Sequence, residues 1–372
     1  MDLKARVDAV VDGALEKRIV GTVLLIARHG EIIYSRAAGL ADREAGTPMA
    51  GNTIFRLASV TKPMVAATAL AQMERDLLGL DNAVSDYLPW FRPKLPSGEE
   101  PTIRISQLLT HTAGLAYEFP ADPTITTGMG DTNLTLEENL RRIAQQPLLF
   151  APGTRWHYSV AIDVLGAIVA GIHGATLGDT VAHYVTGPLG MTDTGFAVTD
   201  RSRLAVPYAD GTPVPQPMGE EYRRKTPEGR IQVFSPGRIF NPKAFHSGGA
   251  GAAGTAGDFL TFLEALRMGG SPILLPETVA QAVQNQIGDL PRGPDDAGQR
   301  FGYLSAIVTD PKAANSPQGV GTINWGGAYG HTWFVDPDAG LTLVSFTNTA
   351  VEGCDGPYRE EIRDAVYAGP LQ

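Results

Sequence analysis

Strand-forming segments lie at both ends of this chain and helix-forming segments between them, an order that restricts the fold more than any other feature. Near the start, residues 20–27 form a continuous apolar run, His29-Gly30-Glu31 a turn, and residues 32–38 a returning strand. Near the end, residues 301–309, 321–325, 333–336 and 341–347 read as strands, the last two joined by the turn Pro337-Asp338-Ala339-Gly340. Helical spacing marks residues 3–18, 59–73, 106–109, 136–146, 160–172, 177–185 and 358–367. Thr255 to Asp258 resembles a capping box opening a further helix to about residue 268. The economical arrangement is α+β: one mainly antiparallel sheet built from both termini, flanked by helices, with a mostly helical lobe inserted.

A chain of 372 residues exceeds the size at which a single core stops growing, so two lobes are expected. The division expected is residues 1–65 with 250–372 for the sheet, and 66–249 for the helices. Within the latter, residues 205–245 are rich in proline, glycine and charge and read as a long surface excursion placed to act as a lid.

Composition narrows the function. A net charge of −10 argues against a nucleic-acid footprint and against an anionic membrane surface. A single cysteine, Cys354, excludes an intrachain disulfide and Cys-rich zinc sites. The seven histidines show no metal-binding pairing, so neither metal nor cofactor is expected. Residues 1–18 contain no apolar run of the secretory type, so a cytoplasmic location is expected.

Three constellations can carry chemistry. In Ser59-Val60-Thr61-Lys62, a serine and a lysine three apart share one helix face, about 5–6 Å between β-carbons, which brings an amine within reach of a hydroxyl. Four residues alone recur by chance too readily to decide anything. In the stretch 152–160, Tyr158 precedes an apolar helix that Ser159 can cap, placing its hydroxyl inside the fold as a possible proton carrier. In Asn324-Trp325-Gly326-Gly327-Ala328-Tyr329-Gly330-His331, paired glycines beside a strand let a substrate approach backbone N–H groups, as an oxyanion hole requires; a strand-end turn is the bland alternative.

Together these resemble the serine β-lactamase, penicillin-binding protein and family VIII carboxylesterase superfamily, whose S-x-x-K, Y-x-N (or Y-S-x) and K-T-G-like elements occur in this order. Leu108-Leu109-Thr110-His111-Thr112-Ala113-Gly114-Leu115 and Pro188-Leu189-Gly190-Met191-Thr192-Asp193-Thr194 strengthen the match, which spans about residues 20 to 350. Two departures matter. Val160 stands where the lactamases carry asparagine, and Trp325 where they carry the lysine that helps hold the substrate carboxylate. An indole cannot replace that cation. The Tyr-Ser-Val and Trp-Gly-Gly versions look like family VIII esterases, which act on neutral esters.

The resemblance implies Ser59 as nucleophile, Lys62 as its base and Tyr158 as the relay that protonates the leaving alkoxide. It implies an oxyanion hole of the Ser59 and Ala328 N–H groups, with Trp325, Gly326, Gly327, Ser247 and Gly248 as pocket wall; His331 and His246 are candidate lining residues. The expected protein is a serine carboxylesterase for short- to medium-chain esters, taking a small-molecule ester as its partner, with oligomeric state open. An acyltransferase or weak lactam hydrolase with the same machinery, and a catalytically silent binding protein, are the alternatives. Gly249 to Gly254 fits G-x-G-x-x-G, but no hydrophobic strand precedes it, so a dinucleotide site is not expected. Arg223-Arg224-Lys225, flanked by Glu220 and Glu221, reads as a solvated loop.

Overall fold

The computed structural model describes residues 2–226, 229–293 and 296–371. Among them, the main sheet runs in the spatial order Gln299–Phe301, Ala306–Val308, Ile323–Gly327, His331–Asp336, Leu341–Thr347, Gly21–Arg28, Glu31–Asp42 and Thr47–Pro48. Every neighbouring pair is antiparallel. The two ends of the chain meet where Gly21–Arg28 pairs with Leu341–Thr347, Leu25 opposite Val344. A sheet built from both termini is therefore what the molecule has.

The strand period of two sorts side chains into two layers. Leu24, Ile26 and Leu343 pack with Val7, Val11, Tyr358 and Ile362 of helices Leu3–Leu15 and Pro357–Tyr367. Val23, Leu25, Val344 and Phe346 belong to the opposite core, with Phe259, Phe262 and Leu263 of helix Ala256–Arg267. Covered on both faces, the central strands are apolar nearly throughout instead of alternating, which is why residues 20–27 read as one run. Thr255 caps its helix as expected, its Oγ1 accepting from the Asp258 N–H at 3.1 Å.

In the helical part, Thr61–Met73 is buried almost all round and lies against Ala161–His173, Gln72 Nε2 donating to the Val169 carbonyl at 2.9 Å. Among the described residues no single helix is long and apolar enough to cross a membrane.

The structure corrects three readings of local structure. Residues 301–309 form two strands, because Gly302 donates to the Ser305 carbonyl at 2.9 Å and turns the chain back on itself. No other residue fits there: a Cβ at Gly302 would stand 2.4 Å from the Ala282 carbonyl. Residues 223–225 are not a loop but part of the strand Tyr222–Lys225, paired with Ile231–Phe234. The 205–245 excursion is thus partly ordered, with Tyr208–Ala209 also adding in parallel to Thr349–Ala350 and a 3-10 turn at Pro236–Phe240. Its residues 227 and 228 lie outside the described residues. Finally, the helix expected from Ser59 begins as a 3-10 turn, Ala58–Val60, before Thr61.

Candidate active site

That 3-10 turn determines how Ser59 is presented. Ala58, immediately before it, has φ of 45°, the left-handed region a side chain disfavours. The surroundings hold it there: Ala58 is fully buried and the Leu57 N–H donates to the Ala252 carbonyl at 2.9 Å. One turn further on, Lys62 is 4% exposed, and its Nζ donates to Ser59 Oγ at 3.1 Å and to the Gly249 carbonyl at 2.7 Å.

Beneath the lysine lies Asp163, the acidic residue of the otherwise apolar start of Ala161–His173. Its Oδ1 accepts from Ser247 Oγ at 2.6 Å and from the Gly249 N–H at 3.2 Å. Burial pushes its pKa up from 3.8, against the pull of the Ser247 hydrogen bond and the Lys62 charge. A Cβ at Gly249 would stand 2.5 Å from Asp163 Oδ2 and 3.5 Å from Lys62 Nζ, so both side chains crowd that glycine. This, and not a dinucleotide, accounts for the start of the glycine-rich run.

Aromatic rings close the other side. The segment carrying Tyr158 is tied to His111, which accepts from the His157 N–H with its carbonyl at 2.9 Å and from the Ser159 N–H with Nδ1 at 3.3 Å. Burial, then the Lys62 charge, holds the His111 pKa well below 6.5, so the ring packed 4.7 Å from Tyr158 is neutral. Ser159 Oγ in turn accepts from the Ala161 N–H at 3.3 Å at the helix start. The Tyr158 hydroxyl accepts from Trp325 Nε1 at 3.2 Å, and Lys62 Nζ stands 4.7 Å from the Tyr158 ring centre. Tyr117 packs 5.3 Å from Tyr158; burial, then the neighbouring Tyr158, raises its hydroxyl pKa well above 10.

The strand end Trp325-Gly326-Gly327 runs directly beside the serine turn. A Cβ at Gly327 would meet the Leu57 carbonyl at 2.4 Å and Val60 Cγ2 at 3.1 Å, so only glycine lets the two segments approach. Ala328 follows in a turn closed by the Gly330 N–H to the Gly327 carbonyl at 2.8 Å.

The structure thus brings together Ser59, Lys62, Tyr158, Trp325, Gly326, Gly327 and Ala328. Ser247 and Gly248 stand behind them, under the Lys62–Gly249 contact: Ser247 is fully buried and Gly248 packs on the Ile162 carbonyl. His331 is not a lining residue. It is fully buried, its Nε2 bonded to the Arg56 carbonyl at 2.8 Å and its ring packed 4.5 Å from Phe346. Phe55, 5.7 Å away on its other side, completes the packing that bars the ring from the cleft.

Burial lowers the His331 pKa from 6.5 to about 4. Its folded value lies below its unfolded one, so its contribution to stability is complete above pH 6.5 and lost as pH falls toward 4. His111, His157 and His246, also lowered by burial, act in the same direction. The urea midpoint is expected to fall across this window, and a midpoint flat from pH 6.5 to 4 contradicts the assignment of a neutral core histidine.

Sequence reasoning missed three residues here. Asp163 carried a signal, a lone acid on an apolar helix face. Tyr117 carried only its position just after the residues 108–115 motif. Arg292 carried none, yet its guanidinium lies among Trp156, Trp325 and Phe301 at 4.9, 5.2 and 5.7 Å from their ring centres.

The Beta-lactamase family model matches residues 7–367. Esterase EstB of Burkholderia gladioli is 50% identical over 379 residues, covering 98% of this chain and 95% of that protein. Among solved structures, EstCE1, described as a hydrolase with promiscuous acyltransferase activity, superposes with a TM-score of 0.93 at 43% identity over 98% of each chain. Simvastatin synthase (LovD) of Aspergillus terreus shares the fold, with a TM-score of 0.77 at 24% identity over 99% of this chain and 98% of that one. A family match across nearly the whole length, with the α+β architecture to accompany it, establishes that this chain belongs to the beta-lactamase family.

Proposed function

We propose that the protein is a serine carboxylesterase that acylates Ser59. The observation that carries the reading is the Lys62 Nζ to Ser59 Oγ hydrogen bond of 3.1 Å in a site walled by Tyr158, Tyr117 and Trp325. Ser59 Oγ attacks the ester carbonyl as Lys62 takes its proton, with the Gly249 carbonyl holding the amine in line. The developing oxyanion is held by the Ser59 and Ala328 N–H groups, a role supported by the close approach at Gly327. The Tyr158 hydroxyl protonates the leaving alkoxide. Because the Trp325 indole can only donate, it occupies an acceptor position of the Tyr158 oxygen and leaves that O–H free to be given. Water then attacks the acyl-enzyme, giving a proton to the Tyr158 oxygen, and Ser59 Oγ takes back the proton held by Lys62 as the carboxylic acid leaves, which restores all three groups.

Trp325 also supports the choice of substrate. It offers an apolar face where a lactam carboxylate would need a cation, and Arg292 behind it has a side chain only 4% exposed. Uncharged short- to medium-chain esters therefore suit the pocket. The description of EstCE1 favours a second outcome of the same chemistry, attack by an alcohol in place of water.

The test is hydrolysis of p-nitrophenyl acetate, butyrate and octanoate, with nitrocefin alongside. Ester turnover is expected to fall about 10³-fold or more in Ser59→Ala, with little nitrocefin cleavage by either form. Turnover surviving in Ser59→Ala overturns the mechanism, and nitrocefin as the better substrate overturns the reading of Trp325. Added methanol that yields methyl ester supports the transfer reaction.

A further inference from the structure

A cavity of about 290 Å³ lies beside the loop whose Gly249 holds Lys62, with Ala250, Gly251 and Ala252 in its wall. Ser59, Lys62 and Tyr158 do not line it. Three arginines do: Arg56, Arg201 and Arg238. Among the described residues none of the three forms an ion pair.

Their partners are neutral. Arg56 donates from Nε to the Pro236 carbonyl at 2.8 Å and from Nη1 to the Ala205 carbonyl at 3.0 Å. Arg238, 8% exposed, donates from Nη2 to the Phe245 carbonyl at 2.8 Å, and its Nε has no partner among the described residues. Arg201, at the exposed rim, stacks on Phe240 at 4.2 Å from the ring centre, and Arg56 lies 5.9 Å from the same ring. The acidic groups acting on Arg238 are Asp163 and Asp131. The first is bonded to Ser247 and Gly249, the second to Asn241 at 2.8 Å.

Burying guanidinium charge without a counter-charge is unfavourable unless an anion completes the site. A planar carboxylate matches the guanidinium fork better than any neutral group. Tyr329 adds a hydroxyl that burial keeps protonated, its pKa pushed up to about 12. Phe196, Phe240 and Phe245 give the wall a large aromatic share beside the polar Ser235, Asn241 and His246, so the anion should carry an apolar body.

We propose that this cavity binds a small organic monocarboxylate, its carboxylate on Arg56 and Arg238 and its apolar body against Phe196 and Phe240. The proposal stands on the cavity and its arginines and does not depend on Ser59 being a nucleophile.

The test is calorimetric titration of the full chain carrying Ser59→Ala, which removes turnover, with phenylacetate as probe. Its neutral counterpart phenylacetamide and inorganic phosphate serve as controls. Phenylacetate is expected to bind, with affinity about tenfold or more weaker in Arg238→Gln and weaker in Arg201→Gln, a rim substitution that spares the core. Phenylacetamide should bind at least about tenfold more weakly than the acid. No binding of phenylacetate up to about 10 mM overturns the proposal. So does equal binding of the amide, equal binding of phosphate, or an unchanged affinity in every arginine variant that folds.

Discussion

Lys62→Met is expected to lower p-nitrophenyl butyrate turnover by about 10³-fold or more while the protein still folds. The substitution removes the Nζ that donates to Ser59 Oγ, together with the bond to the Gly249 carbonyl, and replaces the stem with an apolar chain of similar length. Asp163 keeps both of its donors, Ser247 and Gly249, so the loop beneath retains its anchor. The stability cost should therefore stay near 1–3 kcal/mol, about that of an unsatisfied buried group. Turnover within tenfold of wild type, with an intact thermal transition, contradicts the assignment of Lys62 as base.

The second large effect is structural. Asp163→Ala is expected to destabilise the fold by about 2–6 kcal/mol, about 1–3 kcal/mol for each of the two buried donors it leaves unsatisfied. It strands the Ser247 hydroxyl and the Gly249 N–H, both buried. Because Gly249 also carries the carbonyl that holds Lys62, turnover should fall with stability. Urea denaturation of Asp163→Ala, Lys62→Met and the double variant separates the contributions. The two sites should couple by about 1 kcal/mol or more, since Asp163 holds the Gly249 N–H and Lys62 its carbonyl. Additive losses contradict the picture of one network under the serine.

How much of this was legible in the sequence depends on what each feature rests on. The sheet was legible because its strands carry local signals, a continuous apolar run at residues 20–27 and the turn at residues 337–340. The break within residues 301–309 was not, because what bars a side chain at Gly302 is a carbonyl twenty positions away, at Ala282. Ser59 and Lys62 share one helical turn, so their pairing follows from spacing. Tyr158 and Trp325 were found through motifs, but the hydrogen bond between them joins residues 167 apart and has no local mark. His331 illustrates the reverse error. Its place beside Gly-Gly suggested the cleft, and register does put it on the face of Gly327 and Trp325, but Phe55 and Phe346 pack against its ring and bury it. The arginine-lined cavity was illegible for the same reason: Arg56, Arg201 and Arg238 come from three separate segments that converge only in the fold.

The central claim is that Ser59 forms the covalent bond. A fluorophosphonate reacts with such a serine by forming an oxygen–phosphorus bond as fluoride leaves, so the adduct can be located by mass spectrometry of the digested protein. The expected result is one phosphonyl group per chain, on the peptide containing Ser59, with ester turnover lost in proportion and no adduct in Ser59→Ala. An adduct on another residue, or full ester turnover in protein whose Ser59 is completely labelled, would contradict the mechanism.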